Sequence, residues 1–461
     1  MTAHETDTPE DETDTPEDET DAQVATAQRA ALELANIERT DRNAALESIA
    51  DAIRERGDEI LEANAEDVEE AEAMLERGEY TQALVDRLKL DPAKLEDIAG
   101  MVESVAGQDD PLGATLSARK LDADLELYRV AVPIGVVATV FESRPDALVQ
   151  IAALALKSGN AVILKGGSEA SESNRVLYEI IREATDGRFE GLPDGWAQLI
   201  EAHEEVDRLL ELDEEVDLVM PRGSSEFVSY IQDNTQIPVL GHTEGVCHVY
   251  VDGEADLDMA EDVAFDAKVQ YPAVCNAVET LLVDESVAAE FLPGLVERYD
   301  DAGVELRGDE ATREVVDVGE ATEADWRTEY GDLELSIKTV EDVYGAVEHI
   351  NANGSKHTES ILTEDTDAAE TFMRGIDAAS VFHNASTRFA DGYRYGLGAE
   401  VGISTGKIHA RGPVGLEGLT TYKYYLEGDG HLVASYSGED ALAFLHEDLD
   451  AEWTPGRRSD E

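Results

Sequence analysis

Apolar residues fall three and four apart in Ala44-Ala-Leu-Glu-Ser-Ile-Ala-Asp-Ala-Ile53, and Ala, Leu and Glu dominate residues 25–107. That spacing predicts helices. The period then changes. Residues 119–132 read as extended, with 125–130 the clearest strand. Residues 134–141 and 161–164 are continuous apolar, β-branched runs, as parallel strands covered on both faces require. Between them 146–157 is helical, and Ser158-Gly-Asn160 ends that helix. A strand at 216–220 runs into the turn Pro221-Arg-Gly-Ser-Ser-Glu226. This alternation predicts an open α/β sheet. A second α/β region spans about 246–372, with a strand at 248–252 and a helix at 257–269. Near the C-terminus, 421–426 and 431–436 flank Glu427-Gly-Asp-Gly430, which reads as a hairpin. A lone hairpin is marginal, so it is expected to pair with the 119–132 region and to extend between subunits.

Charge changes the picture. The 461 residues include 104 acidic and 35 basic ones, a formal net charge of −69. The excess is spread along the chain and reads as a halophilic surface, since molar salt shortens the Debye length to about 3 Å. Such a field excludes nucleic acid and anionic membranes as partners. Residues 1–24 are expected to form a disordered acidic tail, in which Thr8-Pro-Glu-Asp-Glu-Thr-Asp14 repeats directly. No run of 18 uncharged apolar residues exists, and the acidic N-terminus lacks a secretory core, so a cytoplasmic protein is expected. The length suits two or three domains. No EF-hand spacing occurs, and His349, His357, His409 and the Glu244/His248 pair match no common metal set, so no metal is expected.

Candidate chemistry centres on Cys275, one of two cysteines, at a junction before the strand-like 280–283. It reads as a covalent nucleophile or as a small core hydrophobe. Two turns follow strands and open helices: Lys165-Gly-Gly-Ser-Glu169 and Arg222-Gly-Ser-Ser225. Glycine admits a close ligand, and free N–H groups at a helix start attract phosphate, though each turn reads equally as a helix cap. Lys165 and Arg222 add positive charge. Neither turn is a dinucleotide fingerprint or a P-loop. Glu142-Ser-Arg-Pro145 follows a buried strand, where Arg144 can hold a carboxylate and Ser143 can donate to an oxyanion. Asn384-Ala-Ser-Thr-Arg388 and His409-Ala-Arg-Gly-Pro413 are polar loops fit for an anionic substrate or for solvent alone. No Gly-x-Ser-x-Gly elbow precedes a helix, so a serine hydrolase is disfavoured.

These motifs resemble the gamma-glutamyl phosphate reductases, a family of the aldehyde dehydrogenase superfamily, here of a halophilic archaeal type. The resemblance runs from about 27 to about 440. It rests on Pro133-Ile-Gly-Val-Val-Ala-Thr-Val-Phe-Glu-Ser-Arg-Pro145, on 156–170, on Val274-Cys-Asn-Ala-Val-Glu-Thr-Leu-Leu282, on Gly396-Leu-Gly-Ala-Glu400, on 409–413 and on the signature region 346–361. It implies NADPH-dependent reduction of L-glutamyl 5-phosphate to L-glutamate 5-semialdehyde through a cysteine thioester, in proline biosynthesis. Cys275 would be the nucleophile, with its own N–H, Asn276 and Ser143 as oxyanion donors. Lys165, Gly166, Gly167, Ser168, Glu169, Gly223 and Ser224 would hold NADP(H). Arg144, Arg388, His409 and Arg411 would bind the substrate carboxylate or phosphate. The implied α/β fold is aldehyde dehydrogenase-like. It has a Rossmann-like NADP-binding domain (25–117 and 133–244), a catalytic α/β domain (245–417), an oligomerisation β-arm (118–132 and 418–440) and an acidic C-terminal segment (441–461). The resemblance also implies a homo-oligomer, dimer or tetramer, and is consistent with a complex with the glutamate kinase that supplies the acyl phosphate. The chain departs from the pattern at Tyr271, Pro272 and Asn353, and Glu244 does not register with the water-activating glutamate of hydrolytic relatives. A non-phosphorylating aldehyde dehydrogenase and a non-catalytic relative are the competing readings.

Overall fold

The computed structural model describes residues 16–142, 144–241 and 244–455. The helical spacing is realised as five helices, Pro16–Leu34, Arg39–Glu55, Gly57–Glu76, Gln82–Leu88 and Pro92–Gly107. Arg39–Glu55 buries Ala45, Leu46, Ile49, Ala50 and Ile53 on one face. Thr81 and Asp91 cap their helices by accepting from the Leu84 and Lys94 N–H groups. The first helix starts at Pro16, inside the stretch expected to be disordered to residue 24. Its Val24 and Ala27 enter the core, and Asp21 pairs with Arg208 at 2.7 Å, so packing outweighs the acidic composition there.

The first sheet has the order Ala197–Leu199, Ala161–Gly166, Val136–Phe141, Leu218–Arg222, all parallel. The chain winds outward from Val136–Phe141 and then returns to its other side at Leu218–Arg222. The topological switch therefore lies between the ends of these two strands, beside Phe141 and Arg222, where open α/β sheets receive ligands. A second, seven-stranded parallel sheet runs Gly319–Glu320, Glu305–Gly308, Glu334–Val340, Val278–Asp284, Cys247–Val251, Thr358–Leu362, Ser380–His383. The chain then returns to the first core, where Ala399, Val401, Val414, Leu416 and Leu419 are buried.

The arm is a four-stranded antiparallel sheet, ordered Thr420–Glu427, Leu125–Pro133, Thr115–Asp122, Glu447–Leu449. Pairing of the C-terminal strand with the 119–132 region is as expected; the hairpin is not. Thr420–Glu427 spends all eight residues on Leu125–Pro133, and Val433–Tyr436 is a 3-10 turn. The far side of Thr115–Asp122 is taken by Glu447–Leu449, and Trp453 stacks on Tyr425 at 4.1 Å. Within the segment 441–461, residues Glu447–Leu449 and Trp453 thus contribute to the arm. Among the described residues no helix is long and apolar enough to cross a membrane.

Candidate active site

The loop before strand Val278–Asp284 is held at several points by named contacts. Arg87 donates to the Ala273 carbonyl at 2.7 Å. Arg388 Nε donates to Gln270 Oε1 at 3.0 Å. The Asn276 amide nitrogen donates to the Ala390 carbonyl at 2.8 Å. Cys247 Sγ donates to the Cys275 carbonyl at 3.2 Å. At Gly245 a Cβ would lie 2.1 Å from that carbonyl oxygen, so glycine is needed for the two backbones to meet. The Gly245 N–H in turn donates to Glu329 Oε2 at 2.9 Å. The result is a half-buried Cys275 thiol on a fixed loop, with its own N–H unpaired among the described residues.

The two thiols differ sharply. Cys247 is fully buried, and burial, with the Glu359 carboxylate next in weight, pushes its ionisation well up. It is inert by the usual rule for buried thiols. Cys275 lies within electrostatic range of two guanidiniums, Arg222 from the first sheet and Arg388 from the loop after the second. Burial lowers the pKa of both arginines. Arg144 donates to Asp146 at 3.1 Å and joins the group through Arg222.

The remaining basic candidates have internal partners. His409 has φ 69° and its Nε2 lies 2.8 Å from the Gly418 carbonyl. Arg411 donates to Asp377 Oδ1 at 3.0 Å, and Lys407 pairs with the same carboxylate at 2.8 Å. These two cations hold Asp377 down at about 2. Ser143 lies outside the described residues.

In the first glycine turn a Cβ on Gly166 would strike Asn174 at 2.0 Å, and one on Gly167 would strike the Glu169 carboxylate at 2.1 Å. Lys165 Nζ donates to the Gly166 carbonyl at 2.8 Å. Burial lowers its pKa, against the nearby carboxylates of Glu169, Glu205, Glu142 and Glu201. Ser168 is exposed at the start of the following helical segment. In the second turn Ser224 caps helix Ser225–Asn234, and its N–H donates to Glu142 Oε2 at 3.1 Å. Glu142 therefore fills the helix start that a phosphate would use, as a negative group there should. Burial raises its pKa.

The aldehyde dehydrogenase family model matches residues 8–327. A gamma-glutamyl phosphate reductase of Natronomonas pharaonis is 72% identical over 94% of this chain and 99% of its own length. The chain belongs to the gamma-glutamyl phosphate reductases of the aldehyde dehydrogenase family. A second such reductase, of Haloquadratum walsbyi, is 67% identical over 95% of this chain and 97% of its own. The crystal structure of the gamma-glutamyl phosphate reductase of Thermotoga maritima superposes with a TM-score of 0.85, at 44% identity, over 90% of this chain and all of that one. A glyceraldehyde-3-phosphate dehydrogenase of Methanocaldococcus jannaschii complexed with NADP shares the fold, at 18% identity and TM-score 0.64 over 90% of this chain and 95% of that one.

Aldehyde dehydrogenases use nicotinamide cofactors, and the first glycine turn of this reductase family member fits one: two residues without side chains, a lysine and an exposed serine open a helical segment at a strand end. Sequence reasoning missed Glu142, Gly245 and Cys247 as parts of the site and gave Arg222 only a supporting charge at the second phosphate turn. The signal for Arg222 was local, a lone cation at the end of a buried strand. The others carried no local signal, because their partners are remote in the chain.

Proposed function

We propose that the protein reduces L-glutamyl 5-phosphate to L-glutamate 5-semialdehyde and phosphate, through a thioester on Cys275. A half-buried thiol within charge range of Arg222 and Arg388, in a chain of net charge −69, supports this best. A site that concentrates cations on a thiol against such a field is built for an anionic electrophile. As thiolate, Cys275 attacks the acyl carbon. The C–S bond forms, the C–O bond to phosphorus breaks, and phosphate leaves with the electron pair. The unpaired Cys275 N–H faces the task of stabilising the oxyanion, with Asn276 as second donor. NADPH is the nucleotide in this reading, and the chemistry it supplies is a hydride. Lys165, Gly166, Gly167, Ser168 and Glu169 would hold it; the turn of Gly223 and Ser224, occupied by Glu142, would flank it from the other side of the switch point without taking its phosphates. Lys165 is the cation available to a 2′-phosphate.

The arm would join subunits. Its Tyr422, Tyr424 and Leu426 are 47%, 61% and 58% exposed, too much apolar surface on one strand for an isolated monomer. Light scattering in multimolar KCl would give a multiple of 50.0 kDa.

The deciding assay is phosphate-dependent reduction of NADP with glutamate 5-semialdehyde in multimolar KCl, beside Cys275→Ala. Activity that needs phosphate and vanishes in the variant supports the reading. Activity without phosphate makes the protein a non-phosphorylating aldehyde dehydrogenase.

A further inference from the structure

Arg222 ends strand Leu218–Arg222 directly opposite Phe141 in the parallel register, at the topological switch of the first sheet. Its stem packs on Gly402, whose added Cβ would touch Cδ, Cγ and Nε at 3.8 Å. Its Nη1 is buried and has no hydrogen-bond partner among the described residues. A buried guanidinium nitrogen left unpaired is costly, and native structures rarely leave one so without a ligand to accept from it. Glu400 balances part of the Arg222 charge but no hydrogen bond joins the two among the described residues, and Glu400 Oε2 accepts from the Gly392 N–H at 2.8 Å. Asp146 is engaged by Arg144. The neighbouring helix start, the ready-made anion site of such a fold, is filled by Glu142.

We infer that Arg222 is the receptor for the phosphoryl group of the substrate, holding it on the acyl phosphate and as it departs. The inference rests on the reductase reading above. The phosphorus of an acyl phosphate is one oxygen away from the carbon that Cys275 attacks, whereas the α-carboxylate lies four carbon–carbon bonds from it. Arg222, at the switch point, within charge range of the thiol and with an unmet donor, is therefore matched to the phosphate. A planar guanidinium suits phosphate oxygens by its fork of N–H groups. In the reaction the C–O bond breaks, both its electrons stay with phosphate, and the added negative charge develops beside Arg222. Arg388, tied to Gln270 on the thiol's own domain, is left for the carboxylate.

The test compares wild type with Arg222→Gln and Arg222→Lys in multimolar KCl, assayed in the oxidative direction with inorganic phosphate, glutamate 5-semialdehyde and NADP. For Arg222→Gln the KM for phosphate should rise at least tenfold, with KM for semialdehyde and for NADP within twofold. Arg222→Lys, which keeps the charge and loses the fork, should fall between. A second readout needs no turnover: phosphate should slow alkylation of Cys275 by iodoacetamide in wild type and fail to do so in Arg222→Gln. A rise in the KM for semialdehyde alone would overturn the inference in favour of a carboxylate role, and a rise in that for NADP alone in favour of a nucleotide role. A fall in kcat with all three KM values unchanged would reduce Arg222 to a structural part. If Arg222→Gln fails to fold, the phosphate KM and phosphate protection of Arg222→Lys decide. Wild type without phosphate-dependent activity would sink the reductase reading itself; phosphate dependence shared equally by all three proteins would sink only the role of Arg222.

Discussion

Gly245→Ala isolates how the nucleophile loop is held. The added Cβ would sit 2.1 Å from the Cys275 carbonyl oxygen and 2.7 Å from both its carbonyl carbon and its Cα. All three are backbone atoms, so no side chain can swing aside. Real Cβ contacts are essentially never under 3.0 Å, so the strand start or the Cys275 loop must give by about 1 Å. Overpacking of this kind costs about 1–3 kcal/mol of stability. The catalytic effect should be larger. A displacement of about 1 Å at a reacting group is worth about a hundredfold in rate. The Cys247 thiol bond to the Cys275 carbonyl would be strained in the same movement. The expected outcome is a folded protein with kcat about a hundredfold down. Urea unfolding in constant KCl gives the stability, and steady-state kinetics with saturating phosphate gives kcat. A variant with kcat within threefold of wild type would show that the loop absorbs the methyl group, and the reasoning would be wrong.

The Lys268–Glu279 pair is fully buried at 2.7 Å; Lys268→Met leaves the buried Glu279 carboxylate without its counter-ion and should cost about 3–5 kcal/mol in urea unfolding, while Lys268→Met with Glu279→Leu should recover most of it. Burial, with the His248 and Lys338 charges, holds His349 down at about 3 from an ordinary 6.5. Because the folded value is the lower one, its stabilising contribution is full above about pH 6.5 and falls by up to about 1.4 kcal/mol per pH unit toward pH 3; His349→Phe should flatten that part of a stability–pH curve. Of the two thiols, native protein should lose only Cys275 to iodoacetamide, by peptide mass mapping, and Cys247→Ala should keep the alkylation rate at Cys275 within threefold.

Local pattern was enough for the alternation of strands and helices, because side-chain period and turn residues act over a few positions. Helix Pro145–Lys157 and strand Ala161–Gly166 fall within a residue or two of their expected places. The hairpin at 421–436 failed in its second strand: a glycine turn permits a reversal, but Val433–Tyr436 coils into a 3-10 turn, so among the described residues Thr420–Glu427 pairs only with Leu125–Pro133 and stays at the sheet edge. The start of the first helix failed similarly, because acidic composition does not report Val24 packing into the core or Arg208 meeting Asp21.

By itself the sequence determined the α/β class, the halophilic charge, the singling out of Cys275 and the two glycine turns, all properties of neighbouring residues. Only the tertiary structure decided which cations meet the thiol. Arg222 ends a strand of the first sheet and Cys275 sits in the loop that enters the second, and His409 and Arg411, equally basic in the sequence, turn to Gly418 and Asp377 instead. It also decided that the second turn's helix start is filled by Glu142, 82 residues earlier in the chain. Charge and hydrogen-bonding capacity are written into each residue, but their partners are set by distance in space, and that distance exists only once both sheets are packed.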